Sequence, residues 1–211
     1  MRLGNMAILA AAAPPFFIAV SVVATLIAPE YNSMSDTMSM LMGPGIPYPW
    51  VFQLAVVGYA LLIQFLGPFL YWQAGRGWHG ALLWTLVIIY SLAGILAAGF
   101  RGGYDVQMLG YISEDAAHGF VARLSFSAVW LLIFFTPWVL RHREELRIWR
   151  YFSLVVVLLT VMLAIPFQAE IWPSYLGLLQ RVIFASTMLW IFVTTLMLRR
   201  SYRSGHNPSI I

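Results

Sequence analysis

A chain of 211 residues with 61% apolar and only 9% charged residues, at a mean hydropathy of +0.81, is not a soluble domain. Soluble domains run at about half apolar and about a quarter charged. The composition describes an all-α, polytopic membrane protein: a bundle of six transmembrane helices forming one domain over residues 1–211. The net charge of +4 and the pI near 9.6 come with no basic domain, so they point to topology and anionic headgroups, and no nucleic-acid partner is expected. With no cysteine in the chain, disulfides, thiolate metal sites and cysteine nucleophiles are excluded.

At roughly 20 apolar residues per crossing, the spans fall at 7–28, 48–72, 79–100, 116–140, 151–168 and 173–198, with Pro, Gly and charge clusters in every gap. The first resembles a signal peptide because Arg2 precedes an alanine-rich run. It is longer than a signal core and ends at Pro29-Glu30 without a small-x-small site, so it reads as a retained helix. Pro14 and Pro15 remove backbone donors and are expected to kink it or end an N-terminal turn. In the first loop, Met34, Met38, Leu41 and Met42 recur at helical spacing, and Ser33 and Asp36 stand in capping-box register. A short amphipathic interfacial helix over 33–42 is expected, stopped by the Gly- and Pro-rich stretch that follows.

The fourth span opens with Glu114 and Asp115, then His118 three residues on, where a carboxylate on the same face can orient the imidazole. Arg123 lies roughly 10 Å below the helix start, and Arg181 is similarly deep in the sixth span. A guanidinium keeps its charge, so each must meet a carboxylate, a wet cavity or an anionic ligand. Asp36, Asp115 and Glu170 are the nearest counter-charges by topology, and the two arginines are expected to share one cavity. Trp50, Trp72, Trp78, Trp138, Trp149 and Trp172 sit near span ends as headgroup anchors.

Every basic residue is arginine, and nine of them (Arg2, Arg76, Arg141, Arg143, Arg147, Arg150, Arg199, Arg200 and Arg203) fall on the same side as the N-terminus. Only Arg101 falls on the other, where Glu30, Asp36, Asp105, Glu114, Asp115 and Glu170 also gather. The positive-inside rule then puts both termini in the cytoplasm of a multi-pass protein of the plasma (inner) membrane.

Tyr31, then Ser35-Asp36, a second helix that begins near Trp50-Val-Phe-Gln53, then His118-Gly119 and finally Gly177-Leu-Leu-Gln-Arg181 form a pattern spanning nearly the whole chain. It resembles the membrane family catalogued as domain of unknown function nine-nine-eight. The resemblance implies a six-helix bundle and marks Ser35, Asp36, His118, Gly177 and Arg181, without implying an activity. Members of that family often carry Glu where this chain has Gln180.

Three functions remain open from the residues. The first is an outer-leaflet pocket of Arg123, Arg181, His118, Asp36, Ser35 and Asp115 that binds an anionic lipid or small amphiphile, since guanidiniums match carboxylate and phosphate by paired bonds. The second is an accessory subunit among other membrane subunits, its arginines paired internally. The third is a membrane-embedded hydrolase using Ser35, His118 and Asp36, the residue types of a triad. Membrane lipids are the expected partners. No cofactor is expected, and no metal, because His79, His142 and His206 lie at the opposite end from His118. No three-plus-three repeat of the transporter kind is visible.

Overall fold

Hydrocarbon offers no partner to a backbone N–H or C=O, so each crossing must satisfy its own, and a helix does. The computed structural model describes residues 3–104, 106–108 and 111–203; Arg2, Asp105 and His206 lie outside the described residues. The helices are α1 (Leu3–Leu26), α2 (Pro49–Ile63), α3 (Leu66–Gln73), α4 (Trp78–Gly99), α5 (Glu114–Val139), α6 (Arg147–Gln168) and α7 (Leu176–Arg203). With α2 and α3 in one span, six helices among the described residues are long and apolar enough to cross a membrane. Helices adjacent in the chain pack side by side, and α1 closes the ring against α7. Large apolar side chains remain on the outside, among them Ile148, Val155, Leu158, Met162 and Ile165 of α6, each more than half exposed. Such a face suits lipid and not water.

α1 runs unbroken through Pro14 and Pro15, so the expected early stop does not occur. The second span breaks between α2 and α3 at Gln64 and Phe65. Pro68 has no N–H for the Gln64 carbonyl, which accepts the Gly67 N–H at 3.3 Å instead, while the Gln64 side-chain amide donates to Ser91 Oγ on α4. Gly67 lets α3 approach α4 closely: a Cβ there would fall 2.8 Å from Trp84 Nε1.

Between apolar helices in lipid, directed polar contacts fix which faces meet. The Tyr59 and Tyr90 hydroxyls join α2 to α4 at 2.8 Å, and Ser125 on α5 donates to the Tyr90 carbonyl at 2.8 Å. α6 and α7 are joined reciprocally: Trp149 Nε1 donates to Thr194 Oγ1 and Trp190 Nε1 to Ser153 Oγ, each at 2.8 Å, with the indoles stacked 6.3 Å apart. Trp149, at 2% exposure, is therefore a core residue and not a headgroup anchor, unlike Trp50, Trp72, Trp78, Trp138 and Trp172, which are exposed.

One end of the ring is tied by Arg143, which is buried although a loop arginine should be solvated. It pairs with Glu145 at 2.9 Å, donates to Gln73 Oε1 of α3 at 2.8 Å and reaches Ser201 of α7. The α3–α4 turn, the α5–α6 connection and the end of α7 thus lie together. At the opposite end, Arg101 clasps Glu114 through two bonds of 2.9 and 3.1 Å, and the α4–α5 connection holds a small antiparallel hairpin, Gln107–Met108 with Ile112–Ser113.

The first loop departs from the expected helix over 33–42: only Met38–Met42 is helical, as one 3₁₀ turn. Met38, Leu41 and Met42 are buried as the apolar spacing requires, but Met34 is exposed. The carbonyls of Ser33, Met34, Ser35 and Asp36, which an α-helix would need, point instead at α7.

Candidate functional site

α7 begins with N–H groups that have no intrahelical acceptor. The first loop supplies acceptors: Gly177 N–H donates to the Ser35 carbonyl at 3.2 Å and Leu178 N–H to that of Met34 at 3.0 Å. One turn further in, Arg181 folds back onto the same loop. Its Nη1 donates to the carbonyls of Ser33, Gly177 and Asp36 at 2.7, 2.9 and 3.2 Å, and its Nη2 to the Tyr31 hydroxyl. Tyr31 passes its own proton on to the Asp36 and Thr37 carbonyls at 3.0 and 3.2 Å. Burial pushes the Tyr31 hydroxyl above its ordinary pKa, outweighing the adjacent guanidinium, so the group stays a donor. Gly177 allows this approach, since a Cβ there would clash with the Asp36 carbonyl and stand 2.7 Å from that of Ser33. Next to Arg181, Gln180 Oε1 accepts the Met38 N–H.

Arg181 is therefore compensated by carbonyl dipoles and a phenol rather than by a carboxylate. Asp36 Oδ2 accepts the Asn32 N–H at 2.8 Å and its Oδ1 the Ser35 hydroxyl at 2.9 Å, bonds that shape the loop. Asp115 Oδ1 accepts the Gly103 N–H at 2.6 Å. Glu170 is exposed at the end of α6, with φ of 50°. Among the described residues none of these three carboxylates pairs with Arg123 or Arg181, contrary to expectation: two of them close turns, where a short carboxylate finds nearer N–H donors.

His118 is also engaged elsewhere. Its Nδ1 lies 2.8 Å from the Ala97 carbonyl and 2.7 Å from that of Phe100, so it carries a proton and caps the end of α4, without a bond to Asp115. Gln53 supports the same helix end, donating to the Ala98 carbonyl at 3.0 Å. Ser35, Asp36 and Arg181 thus meet in one knot, while His118 stands on another strut and the three residues of a triad are not hydrogen-bonded together. No group of three metal-ligating side chains occurs among the described residues.

Arg123 is different. It is exposed on α5 and forms no hydrogen bond or ion pair among the described residues. Its guanidinium lies over Gly119, 3.6–3.9 Å from where a Cβ would stand, so the side chain reaches one turn toward the end of the bundle that carries the first loop. It lines a groove of about 330 Å³ between α5, α6 and α7, with Ser127, Trp130, Gln168 and Gln180 among apolar walls. Trp130 Nε1–H is buried there without an acceptor. Arg181 instead lines a groove of about 420 Å³ between α1 and α7, with Phe17, Thr25 and Phe184. The two arginines therefore occupy different grooves and not the single cavity expected, because they project from different sides of the ring. A third space, about 80 Å³ and nearly all apolar, lies inside the ring beneath Met38 and Met42 and shares Phe126 and Gln180 with the Arg123 groove.

Trp130 and Ser127 were not among the expected site residues. Their signal is in the sequence, since Arg123, Ser127 and Trp130 at i, i+4 and i+7 make a polar stripe along an otherwise apolar helix.

Compared with known proteins, residues 11–197 match the family described as protein of unknown function (DUF998). No curated protein and no solved structure matches the chain.

Proposed function

The chain belongs to the DUF998 family of proteins of unknown function, and on that premise we propose that this six-span membrane protein binds an anionic amphiphile in the α5–α6–α7 groove, its charged head on Arg123 and its chain along the apolar wall. The observation that carries this reading is that a guanidinium with no hydrogen-bond or ion-pair partner among the described residues lines an otherwise largely apolar groove between three helices. An unmatched arginine at the centre of a span costs roughly 2.5–3.5 kcal/mol on insertion scales, and Arg123, exposed and reaching one turn toward the bundle end, keeps only a small part of that cost. A carboxylate or phosphate oxygen at the guanidinium offsets what remains, and arginine suits either group. Arg181, fully bonded by the loop, serves as a brace in this reading, with Ser35, Asp36 and His118 as its supports. In this reading the arginine-rich end faces the cytoplasm at the plasma membrane, as the positive-inside bias favours, and the Arg123 groove opens in the outer leaflet.

A second reading, a subunit of a larger membrane complex, draws support from α6: only 28% of its apolar window is buried inside the ring, against 39–44% for the other spans. The test between them is thermal unfolding of the detergent-solubilised protein with oleate, or with neutral oleyl alcohol. Oleate should raise the midpoint of the wild type and leave Arg123→Gln unmoved, with the alcohol indifferent in both. Equal oleate stabilisation of the two proteins would remove the Arg123 site.

A further inference from the structure

The seam between α5 and α6 holds a second groove at its opposite end, of about 390 Å³. Phe134, Pro137 and Trp138 of α5 form one wall, and Tyr151, Leu154 and Val157 of α6 the other. Arg147 and Arg150, in the first turn of α6, stand over it. Every nearby acid is on the α5–α6 connection. Glu145 is taken by Arg143 at 2.9 Å, and Glu144, 82% exposed, approaches Arg150 only to 3.8 Å. Arg150 also donates to the Arg141 carbonyl, which holds its guanidinium at the helix start. Arg141 lies against the Trp138 ring at 5.0 Å. Arg147 is exposed and has no hydrogen-bond or ion-pair partner among the described residues.

We propose that this groove is a binding site for a negatively charged glycerophospholipid, with the phosphate between Arg147 and Arg150 and one acyl chain between α5 and α6. The inference is independent of the Arg123 reading, since it concerns other residues, the other leaflet and a two-chain ligand. Two arginines one turn apart on a helix form a fork that a phosphodiester fills with two oxygens. The N-terminal end of the α6 dipole adds positive potential at the same point. Below them the walls are apolar for the length of several methylene groups, and Trp138 and Tyr151 sit at the level where amphipathic rings meet headgroups. Free phosphate would satisfy the arginines but leave that apolar wall unmatched, so the occupant is a lipid.

The test is lipid retention by native mass spectrometry, after the full chain is equilibrated in nanodiscs of mixed phosphatidylglycerol and phosphatidylcholine. The wild type should retain phosphatidylglycerol in preference to phosphatidylcholine. Arg147→Gln, which breaks no hydrogen bond or ion pair among the described residues, should lower that preference by about fivefold, and the double variant with Arg150→Gln by about 30-fold. Arg147→Lys with Arg150→Lys keeps the charge and should keep most of the preference. Leu154→Trp leaves both arginines in place but fills the groove, and should release the lipid if the chain lies there. Unchanged preference in Arg147→Gln and in Leu154→Trp would overturn the proposal. So would displacement of the bound phosphatidylglycerol by millimolar inorganic phosphate. Arg123→Gln should leave this preference as it is, so failure of one site is read separately from failure of the other.

Discussion

Arg181 and Arg123 are the same side chain in two spans, and the fold treats them in opposite ways. Arg181 lies within reach of a loop whose carbonyls are free because the loop is not helical, and every contact it makes is internal. Arg123 lies one turn below a glycine on a helix flanked by apolar side chains, and no carbonyl or carboxylate turns toward it among the described residues. An ionised residue in a span is thus not by itself the mark of a ligand site. What separates brace from site is whether the surrounding backbone has acceptors to offer, and that depends on local structure several residues away.

The comparison breaks most decisively at Arg181. Arg181→Gln removes the donor shared by three carbonyls and the Tyr31 hydroxyl, and should cost about 3 kcal/mol or more, read as a lowered unfolding midpoint in detergent. Arg181→Lys should recover only part, because one ammonium cannot follow the forked geometry. A midpoint unchanged in Arg181→Gln contradicts the bracing role. Gly177→Ala tests the same knot from the backbone side. Its methyl group meets carbonyls that cannot move without freeing the first turn of α7, and the expected cost is about 1–3 kcal/mol. Stability equal to wild type would contradict the close approach of the loop to α7.

How much of this was legible beforehand follows from the period of each signal. Six apolar runs of bilayer length are visible in composition alone, and their positions agree with α1–α7 to within a few residues. The motif pattern of Tyr31, Ser35, Asp36, Gln53, His118, Gly177 and Arg181 was visible as residues, but not what they bond: most are joined across more than 100 positions by carbonyls, which carry no sequence signature. For the same reason Asp36, Asp115 and Glu170 looked like counter-charges. Charge counting sees carboxylates and misses dipoles. Trp149 departs from the expected headgroup anchor because a span-end tryptophan is usually wet, whereas here it meets Thr194 on another helix; Arg143 in the next connection is likewise drawn inward by Gln73. The Arg123, Ser127 and Trp130 stripe is legible from helical spacing alone, since i, i+4 and i+7 share one face.

A smaller effect is expected at the α6–α7 seam, which both sets of contacts rely on to hold α7 in register. Trp149→Phe and Thr194→Val each remove one end of the 2.8 Å bond, and a double-mutant cycle should give a coupling of about 0.6 kcal/mol, the usual size for such bonds in lipid. Zero coupling would reduce the pair to packing.

The smallest effect is the most discriminating. If Arg123 is bonded to nothing in the protein, then Arg123→Gln in a neutral detergent, stripped of lipid, should change the unfolding free energy by no more than about 0.5 kcal/mol. The sign should favour the variant, because a charge is removed from an apolar wall. The same substitution at Arg181 should be costly in that detergent, and added oleate should not rescue it. The two arginines then separate on two axes at once: Arg181 matters without ligand and is indifferent to it, whereas Arg123 is silent without ligand and necessary for the response to it. A large loss of stability in Arg123→Gln under stripped conditions would show that the guanidinium already has an internal partner, and the groove would then lose the unmatched charge on which its assignment rests.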